Sequence, residues 1–159
     1  MCVIVDTSSS HLIFNDPNTP LAAPVWRWLS RGGLLVYGGR LATELLVTAS
    51  GRRILRQLSA AGWAQEIPTG DITAAEATLK ACARLRSNDA HVLGLAVASG
   101  ARTLITNDDN LVTDFTDPAI LRPKGRIYSH PSHYRLLQHV RGCRGYRSGR
   151  RTKKLKRNF

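Results

Sequence analysis

No acidic residue follows Asp117 in this 159-residue chain. Residues 118–159 carry 13 Lys and Arg with nothing to neutralise them, whereas residues 1–117 carry 10 bases against 11 acids. The body is therefore near neutral, and a basic arm holds the excess behind the +12 formal charge. Cysteine is scarce too. Cys2, Cys82 and Cys143 are few, odd in number and far apart. That argues against a disulfide framework and for a reducing, cytoplasmic setting. No run of eighteen apolar residues exists, which excludes a membrane-spanning helix. The opening MCVIVD reaches an acid at residue 6, too early for a secretory signal. Dinucleotide and P-loop motifs are missing, as is a DxDxT after the first apolar run. Nucleotide-binding and haloacid dehalogenase readings therefore fail.

What is present is an ordinary 43% of hydrophobic residues, enough for one domain with a real core. Cys2-Val3-Ile4-Val5 is a continuous apolar run, as a central parallel strand buried on both faces requires. A helix is predicted over Thr7 to Phe14, and a proline-rich loop follows. A second helix ends at Ser30, with Trp26 and Leu29 facing the core. Leu34 to Tyr37 reads as a second buried strand, turned by Gly38-Gly39. Helices are predicted from about Leu41 to Ala49 and from Arg52 to Ala61. Trp63 to Ile67 reads as an edge strand. The capping-box pattern Thr73-Ala-Ala-Glu76 opens a helix to about Leu85. Arg126 to Ser129 reads as a last edge strand and His130 to Val140 as a helix. Strands alternating with helices imply an α/β fold, a mainly parallel sheet with helices on both faces.

The stretch from Ser87 to Leu111 organises the rest. Ser87 or Asn88 can cap a helix whose first turn holds Asp89, and Gly100 stops it in a left-handed conformation. A strand from Thr103 to Thr106 follows, then Asp108 and a short helix to Phe115. About twelve helical residues span roughly 18 Å. About five strand residues return roughly 16 Å. Packed antiparallel, the two elements bring Asp89 and Asp108 to one level. Ligands bind such sheets at the carboxyl ends of the strands. Asp6 ends the first strand there, and Glu44, one to two turns into its helix, can reach back to the same rim. Asp109 competes with Asp108 for the fourth place. Asp114 and Asp117 read as surface charges.

Asp6, Glu44, Asp89 and Asp108 in one cleft would repel one another, and no Lys or Arg adjoins them in sequence. A divalent cation resolves this, and hard oxygen ligands suit Mg²⁺ or Mn²⁺. Taken singly, Asp6 and Asp108 are equally well helix N-caps, Asp89 a dipole partner and Glu44 a solvated charge. Their shared rim is what favours a metal site. One or two such ions activate water for phosphoryl displacement.

The residues that carry a family resemblance are VIVD followed by Thr7 and Ser8, the Glu of ATELL, Asp89 in NDAHVLGLAVASGA, and Thr106-Asn107-Asp108 in LITNDDNL. On these the chain resembles a PIN domain, the nuclease fold of VapC-type toxins and related RNases, from Val3 to about Phe115. The resemblance implies a three-layer α/β/α fold with a four- to five-stranded sheet. It also implies an Mg²⁺ or Mn²⁺ site on Asp6, Glu44, Asp89 and Asp108, and endonucleolytic cleavage of single-stranded RNA. Thr106 matches a residue that supports the site by hydrogen bonding. A toxin role would add a protein antitoxin as partner, and the family suggests a homodimer. Asn110 and Leu111 depart from the pattern, standing where members often carry a further acid and an aromatic.

Residues 1–140 are thus expected to form the nuclease-like domain and 141–159 a basic tail. Nine of the last nineteen residues are basic: Arg141, Arg144, Arg147, Arg150, Arg151, Lys153, Lys154, Lys156 and Arg157. Such an arm binds a polyanion by releasing its condensed counterions, without reading sequence. RNA is the expected partner, and a solvated tail is the bland alternative. His130, His133, His139 and Cys143 have loose zinc-like spacing, but the stretch lacks a CxxC and is cationic. Trp26, Trp28 and Trp63 read as core residues, and His91 as a packed or surface histidine near the cleft. A non-catalytic RNA-binding module of the same fold is the competing function.

Overall fold

Cys2–Val5 forms β1, the middle strand of a five-stranded, all-parallel sheet in the computed structural model, which describes residues 2–82, 84–138 and 143. All four β1 residues are buried, as the unbroken apolar run requires. Leu34–Gly38 (β2) lies on one side of β1 and Thr103–Ile105 (β4) on the other. Ala64–Ile67 (β3) and Arg126–Ile127 (β5) form the edges, giving the order β3-β2-β1-β4-β5. Chain progression reverses at the β1/β4 boundary. That boundary is the topological switch point, where parallel sheets open a crevice at their carboxyl ends.

Thr7–Phe14 (α1), Ala22–Ser30 (α2), Gly39–Leu46 (α3), Ala49–Ala60 (α4), Thr69–Cys82 (α5), Ala90–Ser99 (α6) and Asp109–Thr116 (α7) complete a three-layer α/β/α arrangement. The most buried helix is α6. Val92, Leu93, Leu95 and Ala96 are fully inaccessible, and burying each leucine contributes roughly 1.5–3 kcal/mol. It packs closely on α5, where a side chain at Gly94 would come within 2.8 Å of the Ile72 carbonyl oxygen. The three tryptophans pack against the core, and Trp26 donates its indole N–H to the Ile13 carbonyl.

Several expectations are corrected. Helix α5 starts at Thr69, four residues before the capping-box pattern. The segment after Ser129 is a 3₁₀ helix, Pro131–Leu137, capped by His130. Asp89 is the residue before α6 rather than part of its first turn. Cys2 and Cys143 are paired as a disulfide, with Cα atoms 6.0 Å apart across 141 residues of sequence. Sequence separation hid that pair, and a reducing cytoplasm does not favour it. The pairing also removes Cys143 from any zinc set. His139, the end of the expected 1–140 domain and the arm residues Arg141, Arg144, Arg147, Arg150, Arg151, Lys153, Lys154, Lys156 and Arg157 lie outside the described residues. Among the described residues no helix is long and apolar enough to cross a membrane.

Candidate active site at the carboxyl ends of β1 and β4

Asp6 continues the sheet by one residue, since its N–H donates to the Ile105 carbonyl at 2.9 Å. Its carboxylate is 5% exposed and is held from three sides. Oδ1 accepts the Thr7 N–H at 2.8 Å, which also caps α1. Oδ2 accepts the Ser8 hydroxyl at 2.5 Å and the Thr106 hydroxyl at 2.9 Å. Thr106 Oγ1 in turn accepts the Asp108 N–H at 3.1 Å. The ends of β1 and β4 are thereby tied into one polar unit. Thr7, Ser8 and Thr106 all donate to the Asp6 carboxylate.

Glu44 arrives from α3. The chain enters α3 through Gly38, where a Cβ would stand 2.6 Å from the Ile67 carbonyl oxygen, and Gly39, at φ +54°. Only glycine fits this entry. Glu44 Oε2 accepts the Thr7 hydroxyl at 3.0 Å, and the same hydroxyl lies 3.4 Å from Asp6 Oδ1. One threonine therefore sits between the first two acids. Glu44 Oε1 pairs with Arg40 Nε at 2.8 Å. A cation does reach this rim, although Arg40 is largely exposed and such pairs stabilise little.

Asp89 meets them from the start of α6. Its carboxyl is pushed above its ordinary value, first by burial. His91 opposes that shift, while Asp6, Asp108 and Glu44 each add to it. Asp6, Glu44 and Asp108, from three other elements, therefore all stand near enough to act on Asp89. Asp108, half-buried, caps α7 through the Leu111 N–H at 2.9 Å. Asp109 and Asn110 are exposed, and Asp109 is not among the acids acting on Asp89. Asp108 is thus the one of the pair that faces the other acids, its N–H bound to Thr106 Oγ1. The bland N-cap roles of Asp6 and Asp108 hold simultaneously, since one carboxylate oxygen can cap while the group faces the cleft.

The donor set is all oxygen and acidic, which suits a hard divalent cation. Yet among the described residues no three His, Cys, Asp or Glu side chains stand close enough for a ready-made cage. Asp6 is fixed. Glu44 and Asp89, 30% and 28% exposed, are the acids with freedom to close inward.

One residue was misjudged from the sequence. Asp114 is not a surface charge: it is 1% exposed and accepts the backbone N–H groups of Arg86 and Ser87. Its signal was its place between Leu111 and Phe115 on the buried face of α7. His91 is packed, 3% exposed, and also lines the acidic cluster. No family model matches the chain, and no curated protein matches it.

Proposed function

We propose that this protein is a metal-dependent endoribonuclease of the PIN type, hydrolysing RNA phosphodiesters at the Asp6, Glu44, Asp89 and Asp108 rim. The observation that carries the reading is the convergence of these acids at the β1/β4 switch point, where Thr106 ties Asp6 to Asp108, Thr7 lies between Asp6 and Glu44, and all three act on Asp89. Mg²⁺ or Mn²⁺ held there would supply an activated water and neutralise charge on the phosphate. Asp6, anchored by three donors, is the fixed wall of the site. Thr106 keeps Asp6 and Asp108 in register, and Thr7 spaces Asp6 from Glu44. The arm from Arg141 to Arg157 holds the polyanion near the rim by charge. The reading places the protein with cytoplasmic RNA, a setting that does not favour the Cys2–Cys143 disulfide.

The decisive experiment incubates single-stranded RNA with the purified protein and Mg²⁺ or Mn²⁺, beside Asp89→Asn. Cleavage by the wild type alone is expected. No cleavage by either protein, or equal cleavage by both, would sink the proposal. A toxin role with an antitoxin partner predicts that induced expression arrests growth and degrades RNA, and that Asp89→Asn does neither.

A second reading is a non-catalytic RNA-binding module, favoured by the lack of a ready-made cage among the described residues. Calorimetric titration with Mn²⁺ separates the two, because a binding-only module takes up no tightly bound ion. Sedimentation of the purified chain tests the homodimer that the resemblance implied.

A further inference from the structure

One buried group at the rim has no use in the mechanism above. His91 Nε2 is inaccessible and has no hydrogen-bond partner among the described residues. Burying a polar atom without a partner is costly, so such an atom marks a missing neighbour. The ring lies between two acids. Nε2 is 3.7 Å from Glu44 Oε2, and Nδ1 is 3.9 Å from Asp89 Oδ1. Both separations are too long for hydrogen bonds.

A cation explains the spacing on the Glu44 side. Metal–ligand bonds of about 2.1 Å at right angles place neighbouring donors about 3 Å apart. Glu44 Oε2 would have to close on Nε2 by only about 0.7 Å. Its side chain is 30% exposed, and closing would exchange the Thr7 hydroxyl contact at Oε2 for the ion while Oε1 keeps Arg40. The Asp89 side has its own logic. A metal-bound histidine commonly donates its other ring N–H to a carboxylate, which fixes the ring and strengthens the ligand. Asp89 Oδ1 faces Nδ1 in that position.

We propose that His91 Nε2 is a nitrogen ligand, shared with Glu44, of the divalent cation, and that the site prefers Mn²⁺ to Mg²⁺. Mn²⁺, the weakest binder of the first-row series, still accepts an imidazole nitrogen more readily than Mg²⁺, which keeps to oxygen donors and near-ideal octahedra. The surrounding carboxylates admit Mn²⁺ as readily as Mg²⁺. Mn²⁺ therefore satisfies both halves of the donor set. This inference rests on the metal-dependent reading above and deepens it.

The test uses the full chain with MnCl₂. Pulsed electron paramagnetic resonance on bound Mn²⁺ should show coupling to one directly bound nitrogen. Labelling histidine with ¹⁵N should convert that coupling to ¹⁵N. His91→Leu should abolish it and weaken Mn²⁺ binding by about tenfold or more, with Mg²⁺ binding little changed. Displacing Mn²⁺ from the wild type should need about tenfold excess Mg²⁺ or more. Because His91 is buried, a second measurement needs no variant: substoichiometric Mn²⁺ should broaden the His91 ring resonances before those of any other histidine. Bound Mn²⁺ without nitrogen coupling, or coupling from another histidine, overturns this proposal and leaves the nuclease reading standing. Displacement of Mn²⁺ by equimolar Mg²⁺ overturns the stated preference. If no Mn²⁺ binds at all, both readings fall.

Discussion

The buried carboxylate of Asp114 accepts the Ser87 backbone N–H at 2.8 Å, joining α7 to the turn that leads into Asp89. The Arg86 N–H reaches the same carboxylate, at 2.9 Å to one oxygen and 3.1 Å to the other. Hydrogen bonds to a charged acceptor in a buried place contribute more than neutral ones, and their loss strands two N–H groups. Asp114→Ala should therefore destabilise the fold by about 3 kcal/mol, read as a lower urea midpoint. It should also weaken Mn²⁺ binding, because the segment carrying Asp89 loses its anchor. Unchanged stability would refute the role assigned to Asp114.

Thr106 Oγ1 links Asp6 Oδ2 to the Asp108 N–H, with the Ser8 hydroxyl a longer partner at 3.4 Å. Thr106→Val keeps the shape and removes these contacts. The expected cost is about 1 kcal/mol of stability. Metal binding or RNA cleavage should fall by about tenfold, the usual effect of losing an outer partner of a metal site. A variant as active as the wild type would show that the Asp6 carboxylate needs no support from β4.

Much of this was legible in the sequence, for a physical reason. Strand β1 is a solid apolar run, and α6 ends in a glycine at φ +79°, so both announce themselves locally. The antiparallel return of α6 into β4 then fixes Asp89 and Asp108 at one level by simple lengths. What local pattern cannot carry is pairing at long range. Asp114 bonds 27 residues back to Ser87, and Cys2 meets Cys143 across 141 residues. His91 is a similar case, since a histidine inside an apolar helix looks the same whether it packs against hydrocarbon or faces two acids.

Asp89 titrates against its neighbours, and the sign of its effect follows. Its folded-state pKa is raised above the ordinary 3.8, mainly by burial. The folded state thus holds the proton more tightly than the unfolded chain. Stability of the metal-free protein therefore falls as pH rises from 3.8 through the raised value, and the full penalty persists at neutral pH. Asp89→Asn removes that penalty. In the presence of a chelator the variant should melt higher than the wild type at neutral pH. The gap should shrink as acid protonates the wild-type carboxyl. A variant that melts lower at neutral pH would contradict the assignment.

The arm makes a prediction that depends on charge alone. Lys153, Lys154, Lys156 and Arg157 stand within five residues of one another, with no acid anywhere after Asp117. If they neutralise phosphates, each contact releases condensed counterions and adds about 0.7 to the slope of log affinity against log salt on single strands. Replacing all four with Gln should weaken RNA binding at low salt and flatten that slope by up to about 3. The acidic rim should be untouched, so Mn²⁺ affinity should match the wild type. The two outcomes together separate the roles: an unchanged salt slope removes the arm from RNA binding, whereas altered Mn²⁺ affinity would mean that the arm acts at the rim itself.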